Sequence, residues 1–120
     1  MTGRRRALAL AILVALAFVV VACGGGGSGD REASPVTTGS VVMTDANKFQ
    51  PSHIQVPART TVTWTNSSQS VHDVKFDDGP SSDRLNFGAT FQRVFNDPGT
   101  YDYVCTIHPG MVGRVTVVPR

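Results

Sequence analysis

Cysteine is scarce in this 120-residue chain: the two present, Cys23 and Cys105, are too few for a disulfide-stapled scaffold. Long apolar runs are scarce as well. The one present, Ala7 to Ala22, has 16 residues, short of the about 20 that a spanning helix needs. No stretch carries a sustained helical period, which argues against a helical fold. The net positive charge comes from the start: Arg4, Arg5 and Arg6 carry three of the eleven basic charges, and beyond residue 22 there are eight Lys and Arg against nine Asp and Glu, a net charge of −1 with His neutral. A nucleic-acid partner would find no basic patch there. Nothing resembles a nucleophile–base pair, and the glycines at 24–27 have no strand before them to form a phosphate-binding loop.

What is present begins with "MTGRRR", the apolar run and then Cys23. A basic opening, a short apolar segment and small residues before a cleavage point are the parts of an export signal. The junction "VVAC" resembles a bacterial lipobox, which implies a lipoprotein-type signal over 1–22 and lipidation of Cys23. An ordinary signal cut nearby and an uncleaved anchor are the other readings. Residues 23–38, "CGGGGSGDREASPVTT", have too little apolar surface to order themselves and are expected to be a flexible tether. The folded domain is expected over 39–120.

That domain reads as strands. "SVVMTDA", "HIQVP", "TTVTWTN", "VHDVKF", "ATFQRVF", "TYDYVC" and "GRVTVV" are short and rich in Val, Thr and aromatics, and many of them alternate. "NKFQPS", "NSSQS", "DDGPSSD" and "NDPGT" between them are turn signals. About seven strands in some 85 residues predict an all-β, two-sheet sandwich or small barrel. Trp64, Phe49, Phe91 and Phe95 are candidate core aromatics. Tyr101 and Tyr103 share one strand face by period two, and "DDGPSSD" reads as a solvated acidic turn.

A core this small gains from a tightly bound metal or a disulfide. With Cys23 committed to the signal junction, Cys105 is a lone thiol in an exported protein, and metal ligation explains it. It stands in "YDYVCTIHPGM", which spaces Cys105, His108 and Met111 at intervals of three. Thiolate and thioether are soft ligands that favour copper, and two imidazoles, a thiolate and a weak axial thioether make a blue-copper site. The second imidazole must come from elsewhere. His53, turned outward by alternation with apolar Ile54 and Val56, reads as a solvated surface histidine, whereas His72 sits between two strands at a rim. Zinc would accept the thiolate and imidazoles but rarely a thioether.

From "FQPSHIQVPARTTVTWTN" through "HDVKF" and "NDPGTYDYVCTIHPGM" to "GRVTVV", the chain resembles the cupredoxins of the plastocyanin and amicyanin type. The compact Cys-x2-His-x2-Met spacing is closest to the amicyanins. The resemblance implies a Greek-key β-sandwich binding one copper ion through His72, Cys105, His108 and axial Met111. It implies single-electron transfer between extracytoplasmic redox proteins, with an unidentified donor and acceptor docking near His108; a monomer is expected, held to the membrane through the Cys23 lipidation that the lipobox-like junction implies. The same fold could instead store or deliver copper. A catalytic copper module is disfavoured because four protein ligands leave no open position. One residue departs from the family: after the upstream His an Asn is common, and this chain has Asp73, which either accepts a hydrogen bond from the Thr106 hydroxyl or amide or stands exposed to solvent.

Overall fold

A computed structural model describes residues 29–120; the expected signal segment, the lipobox and Cys23 lie outside the described residues. A short helix, α1 (Gly29–Glu32), precedes nine strands: β1 (Val36–Thr37), β2 (Ser40–Met43), β3 (Phe49–Gln50), β4 (His53–Pro57), β5 (Thr60–Asn66), β6 (Lys75–Phe76), β7 (Thr90–Phe95), β8 (Gly99–Val104) and β9 (Val112–Val118). They form two mixed sheets, ordered β1-β4-β9-β8-β6 and β3-β2-β5-β7. The expected sandwich is what forms.

Alternation decides which side chains enter the space between the sheets. In β5, Val62, Trp64 and Asn66 point inward while Thr63 and Thr65 are half-buried; β9 buries Gly113, Val115 and Val117 by the same period. Trp64, fully buried, lies edge-on to Phe76 at 5.6 Å and Tyr103 at 5.4 Å, and Phe49 is edge-on to Tyr103 at 4.8 Å. Such aromatic pairs add about 0.5–1.5 kcal/mol beyond the area they bury. Phe95 is buried and Phe91 half-buried, so all four expected core aromatics pack there. Burial holds the Tyr103 hydroxyl well above its ordinary range, against an opposing interaction with Trp64.

Three expectations change. Residues 23–38 were expected as a free tether, but α1 and β1 lie on the body. Arg31 donates to the Gly113 and Tyr103 carbonyls at 3.2 and 2.9 Å, Asp30 pairs with Lys48, and β1 runs parallel to β4 with Val36 opposite Ile54. A segment too polar to make its own core is ordered here by hydrogen bonds to a surface already built. His53, expected to be solvated, is half-buried beneath this strap: its Nδ1 lies 2.7 Å from the Ala33 carbonyl and its Nε2 2.8 Å from Thr116 Oγ1.

The third change concerns "VHDVKF". Only Lys75 and Phe76 form a strand, paired with Val104 and Tyr103 of β8. His72 is instead held by an isolated bridge to Leu85, with hydrogen bonds of 3.1 and 2.7 Å in the two directions, and Val74 donates to Ser82 Oγ. The acidic turn is partly committed too. Asp78 grips Arg93 with two bonds of 2.9 and 2.7 Å, and this guanidinium lies 4.3 Å from the Phe76 ring centroid. Hydrogen bonding from Arg93 keeps the Asp78 carboxyl below its ordinary range.

Candidate metal centre

At one end of the sandwich the β8–β9 connection runs from Cys105 to Met111. Proline presets position two of a turn and glycine supplies the positive φ that position three of a type II turn requires. His108-Pro109-Gly110-Met111 meets both demands: Gly110 has φ 81°, and the Met111 amide donates to the His108 carbonyl at 3.2 Å. A second bond, from the Cys105 amide to the Met111 carbonyl at 2.9 Å, closes the loop. The strand-to-strand reach is thereby fixed by backbone alone.

His72 arrives from the far side, 33 residues earlier. Its Nδ1 lies 3.1 Å from His108 Nδ1 and 3.9 Å from Cys105 Sγ, and Cys105 Sγ lies 3.7 Å from His108 Nδ1. A trigonal centre with metal–nitrogen bonds of about 2.0 Å and a metal–sulfur bond of about 2.3 Å separates nitrogens by roughly 3.5 Å and sulfur from nitrogen by roughly 3.7 Å. The triangle therefore has the size a metal ion needs. His72 and Cys105 are buried, while His108 is half-buried beside exposed Pro109 and Gly110. Met111 is buried in the same loop. Burial, then the neighbouring His108, keeps the His72 imidazole below its ordinary range, opposed by Asp45 and Asp73. A ring kept neutral is one ready to ligate.

Three of the expected ligands thus converge and the fourth, Met111, lies in the loop that carries Cys105 and His108; His53 is not among them. Two groups around His72 went unread in the sequence. Asn66, fully buried, donates to the Ser70 and Leu85 carbonyls at 2.8 Å each and accepts from the Ser68 amide at 2.8 Å. Ser68, also buried, places Oγ 2.7 Å from His72 Nε2. "NSSQS" carries a turn signal, but which of its hydroxyls turns inward depends on a fold 19 residues downstream.

Asp73 makes the expected tie. One carboxylate oxygen accepts from the Thr106 amide at 2.6 Å and the other from the Thr106 hydroxyl. It thereby clamps the residue next to Cys105 to the residue next to His72. Asp73→Asn keeps the clamp, since an amide accepts from N–H and donates to the hydroxyl oxygen, but removes a negative charge. The expected result in copper-loaded protein is a reduction potential raised by on the order of 1 kcal/mol after solvent screening, roughly 40 mV for one electron. Voltammetry of the two proteins checks this, and equal potentials would show that the charge is screened.

A two-sheet sandwich with a His, Cys and His triangle, buried at His72 and Cys105 and closed by a Pro-Gly loop, defines a cupredoxin-like domain. The chain belongs to that family, whose model, described as a cupredoxin-like domain, matches residues 9–117. It is 42% identical over 76 residues to amicyanin-alpha of Methylorubrum extorquens, covering 58% of this chain and 64% of that relative's length. Among solved structures, it resembles a novel purple cupredoxin from Nitrosopumilus maritimus at 32% identity and TM-score 0.63, over 66% of this chain and 98% of the other. It also resembles a Cu(I) form of an amicyanin variant at 31% identity and TM-score 0.60, over 69% and 86%.

Proposed function

We propose that this protein carries single electrons outside the cytoplasmic membrane, with one copper ion held by His72, Cys105, His108 and Met111. The observation that carries the reading is the triangle of His72 Nδ1, Cys105 Sγ and His108 Nδ1, with sides of 3.1, 3.7 and 3.9 Å. Copper bound there would supply a one-electron couple between Cu(I) and Cu(II). The chain's own part is to hold the donors still. His72 is fixed by its bridge to Leu85, Cys105 by the hydrogen bond its amide donates to the Met111 carbonyl, and the two sides are clamped by Asp73 and Thr106. A frame of that kind limits rearrangement between oxidation states. Four protein donors leave no position for a substrate, so the reading assigns no catalytic activity.

His108, half-buried beside exposed Pro109 and Gly110, offers the route by which donor and acceptor proteins reach the site. The "VVAC" junction supports lipidation of Cys23. Among the described residues no helix is long and apolar enough to cross a membrane. Because the chain is already docked at Asp30 through Lys48, a Cys23 anchor would hold the domain within a few residues of the bilayer.

The rival is a store or courier of copper built on the same fold. Voltammetry of the copper-loaded protein combined with a Cu(I) chelator separates them. The carrier is expected to give a reversible one-electron wave and to retain Cu(I) through repeated cycles. Irreversible reduction with rapid loss of Cu(I) to the chelator would favour the store.

A further inference from the structure

We propose that Ser68 is a positioning residue of the metal centre: its buried hydroxyl sets His72 in the tautomer that carries the proton on Nε2, leaving Nδ1 bare and facing Cys105 and His108. This rests on the reading of His72 as a ligand.

The argument is an inventory of donors and acceptors around one oxygen. A serine hydroxyl has one hydrogen and two lone pairs. Ser68 Oγ has a hydrogen-bond acceptor in the Ser70 carbonyl at 3.0 Å, to which it donates. It has a donor in the Ser70 amide at 3.2 Å, from which it accepts. Its third neighbour is His72 Nε2 at 2.7 Å. With the hydroxyl hydrogen on Ser70 and one lone pair facing the Ser70 amide, the group left for His72 is a lone pair. It matches an Nε2–H. That tautomer satisfies every contact at once. The opposite one, with the proton on Nδ1, has to draw the hydroxyl hydrogen away from the Ser70 carbonyl and aims an N–H into the triangle of donor atoms.

Ser68 is itself fixed. Its amide donates to Asn66 Oδ1 at 2.8 Å, and Asn66 Nδ2 holds the Ser70 carbonyl at 2.8 Å, so the turn cannot swing the hydroxyl away without breaking the Asn66 bonds. Asn66, Ser68 and His72 are all fully buried, so solvent does not compete for these groups. Partners on the non-ligating nitrogen of a metal-binding histidine fix its tautomer and orientation. Here that partner is a side-chain hydroxyl that can be removed by a single atom's change.

The test begins with the metal-free full chain and needs no variant. Long-range nitrogen–proton NMR of the His72 ring is expected to show a protonated Nε2 and a bare Nδ1; a protonated Nδ1 overturns the proposal. In Ser68→Ala the ring is expected to populate both tautomers, and copper affinity is expected to fall roughly 10- to 100-fold, while Ser68→Thr restores both properties. A Ser68→Ala protein with the wild-type ring spectrum and affinity overturns it. Should Ser68→Ala not fold, Ser68→Cys, with a weak acceptor of similar size, takes its place with the same expected outcomes. A wild-type ring in the expected tautomer together with unchanged nitrogen shifts on copper addition would show that the Ser68 contact is real but that His72 does not ligate. That result overturns the proposed role and separates its failure from a failure of the Ser68 geometry.

Discussion

Gly113→Ala is expected to lower the unfolding midpoint by roughly 10–20 °C. A Cβ on Gly113 would meet Tyr103 Cζ at 2.2 Å, its hydroxyl oxygen at 2.4 Å and Cε2 at 2.6 Å. These belong to a rigid ring, fully buried, with Phe49, Trp64 and Phe76 packed against it at 4.8, 5.4 and 5.1 Å. The ring cannot rotate out of the way, so either β9 shifts from β8, where Gly113 and Tyr103 are paired, or the aromatic cluster repacks. Overpacking usually costs about 1–3 kcal/mol, and this case belongs at or above the upper end. Thermal and chemical unfolding of the metal-free protein measures it. In a Tyr103→Leu background the same glycine change is expected to cost much less, because residues in contact are not additive. A cost under about 1 kcal/mol in the parent protein would mean that Tyr103 does not lie across Gly113.

Cys105→Ser is expected to abolish the intense visible absorption of the copper-loaded protein and most of the stabilisation that copper confers. Serine keeps the size and the hydrogen bond from the residue-105 amide to the Met111 carbonyl. It replaces a soft thiolate with a hydroxyl that stays protonated near neutral pH and favours harder metals. A ligand present at 1,000 times its dissociation constant stabilises the folded state by about 4 kcal/mol, and the variant should lose most of that increment. Burying the hydroxyl at a position only 4% exposed adds a cost of about 1–3 kcal/mol in the metal-free protein. Comparing unfolding curves with and without copper for both proteins separates the two effects. A variant that kept its colour and its copper-dependent stabilisation would remove Cys105 from the ligand set.

Much of this architecture is legible along the chain because it is local. "TTVTWTN" and "HIQVP" alternate cleanly and form β5 and β4 over those same residues. Pro109 and Gly110 announce the turn that closes the metal loop. The His72 partnership with the loop came through resemblance, and the structure brings the side chains together. Other features were hidden because their cause is distant. Arg31 finds its acceptors 72 and 82 residues away, so composition alone made its segment a tether. Strands β3 and β6, two residues each, are too short to carry a period. The buried pair Asn66 and Ser68, with half-buried Ser70, looks like any polar turn until the bridge between His72 and Leu85 folds over it.

The most direct measurement of the central claim is an optical titration of the full-length protein with Cu(II). One copper held by a thiolate and two imidazoles predicts an intense blue band that grows linearly and stops at one equivalent. A colourless complex, or a band that keeps growing toward two equivalents, would contradict a single type 1 centre at His72, Cys105, His108 and Met111.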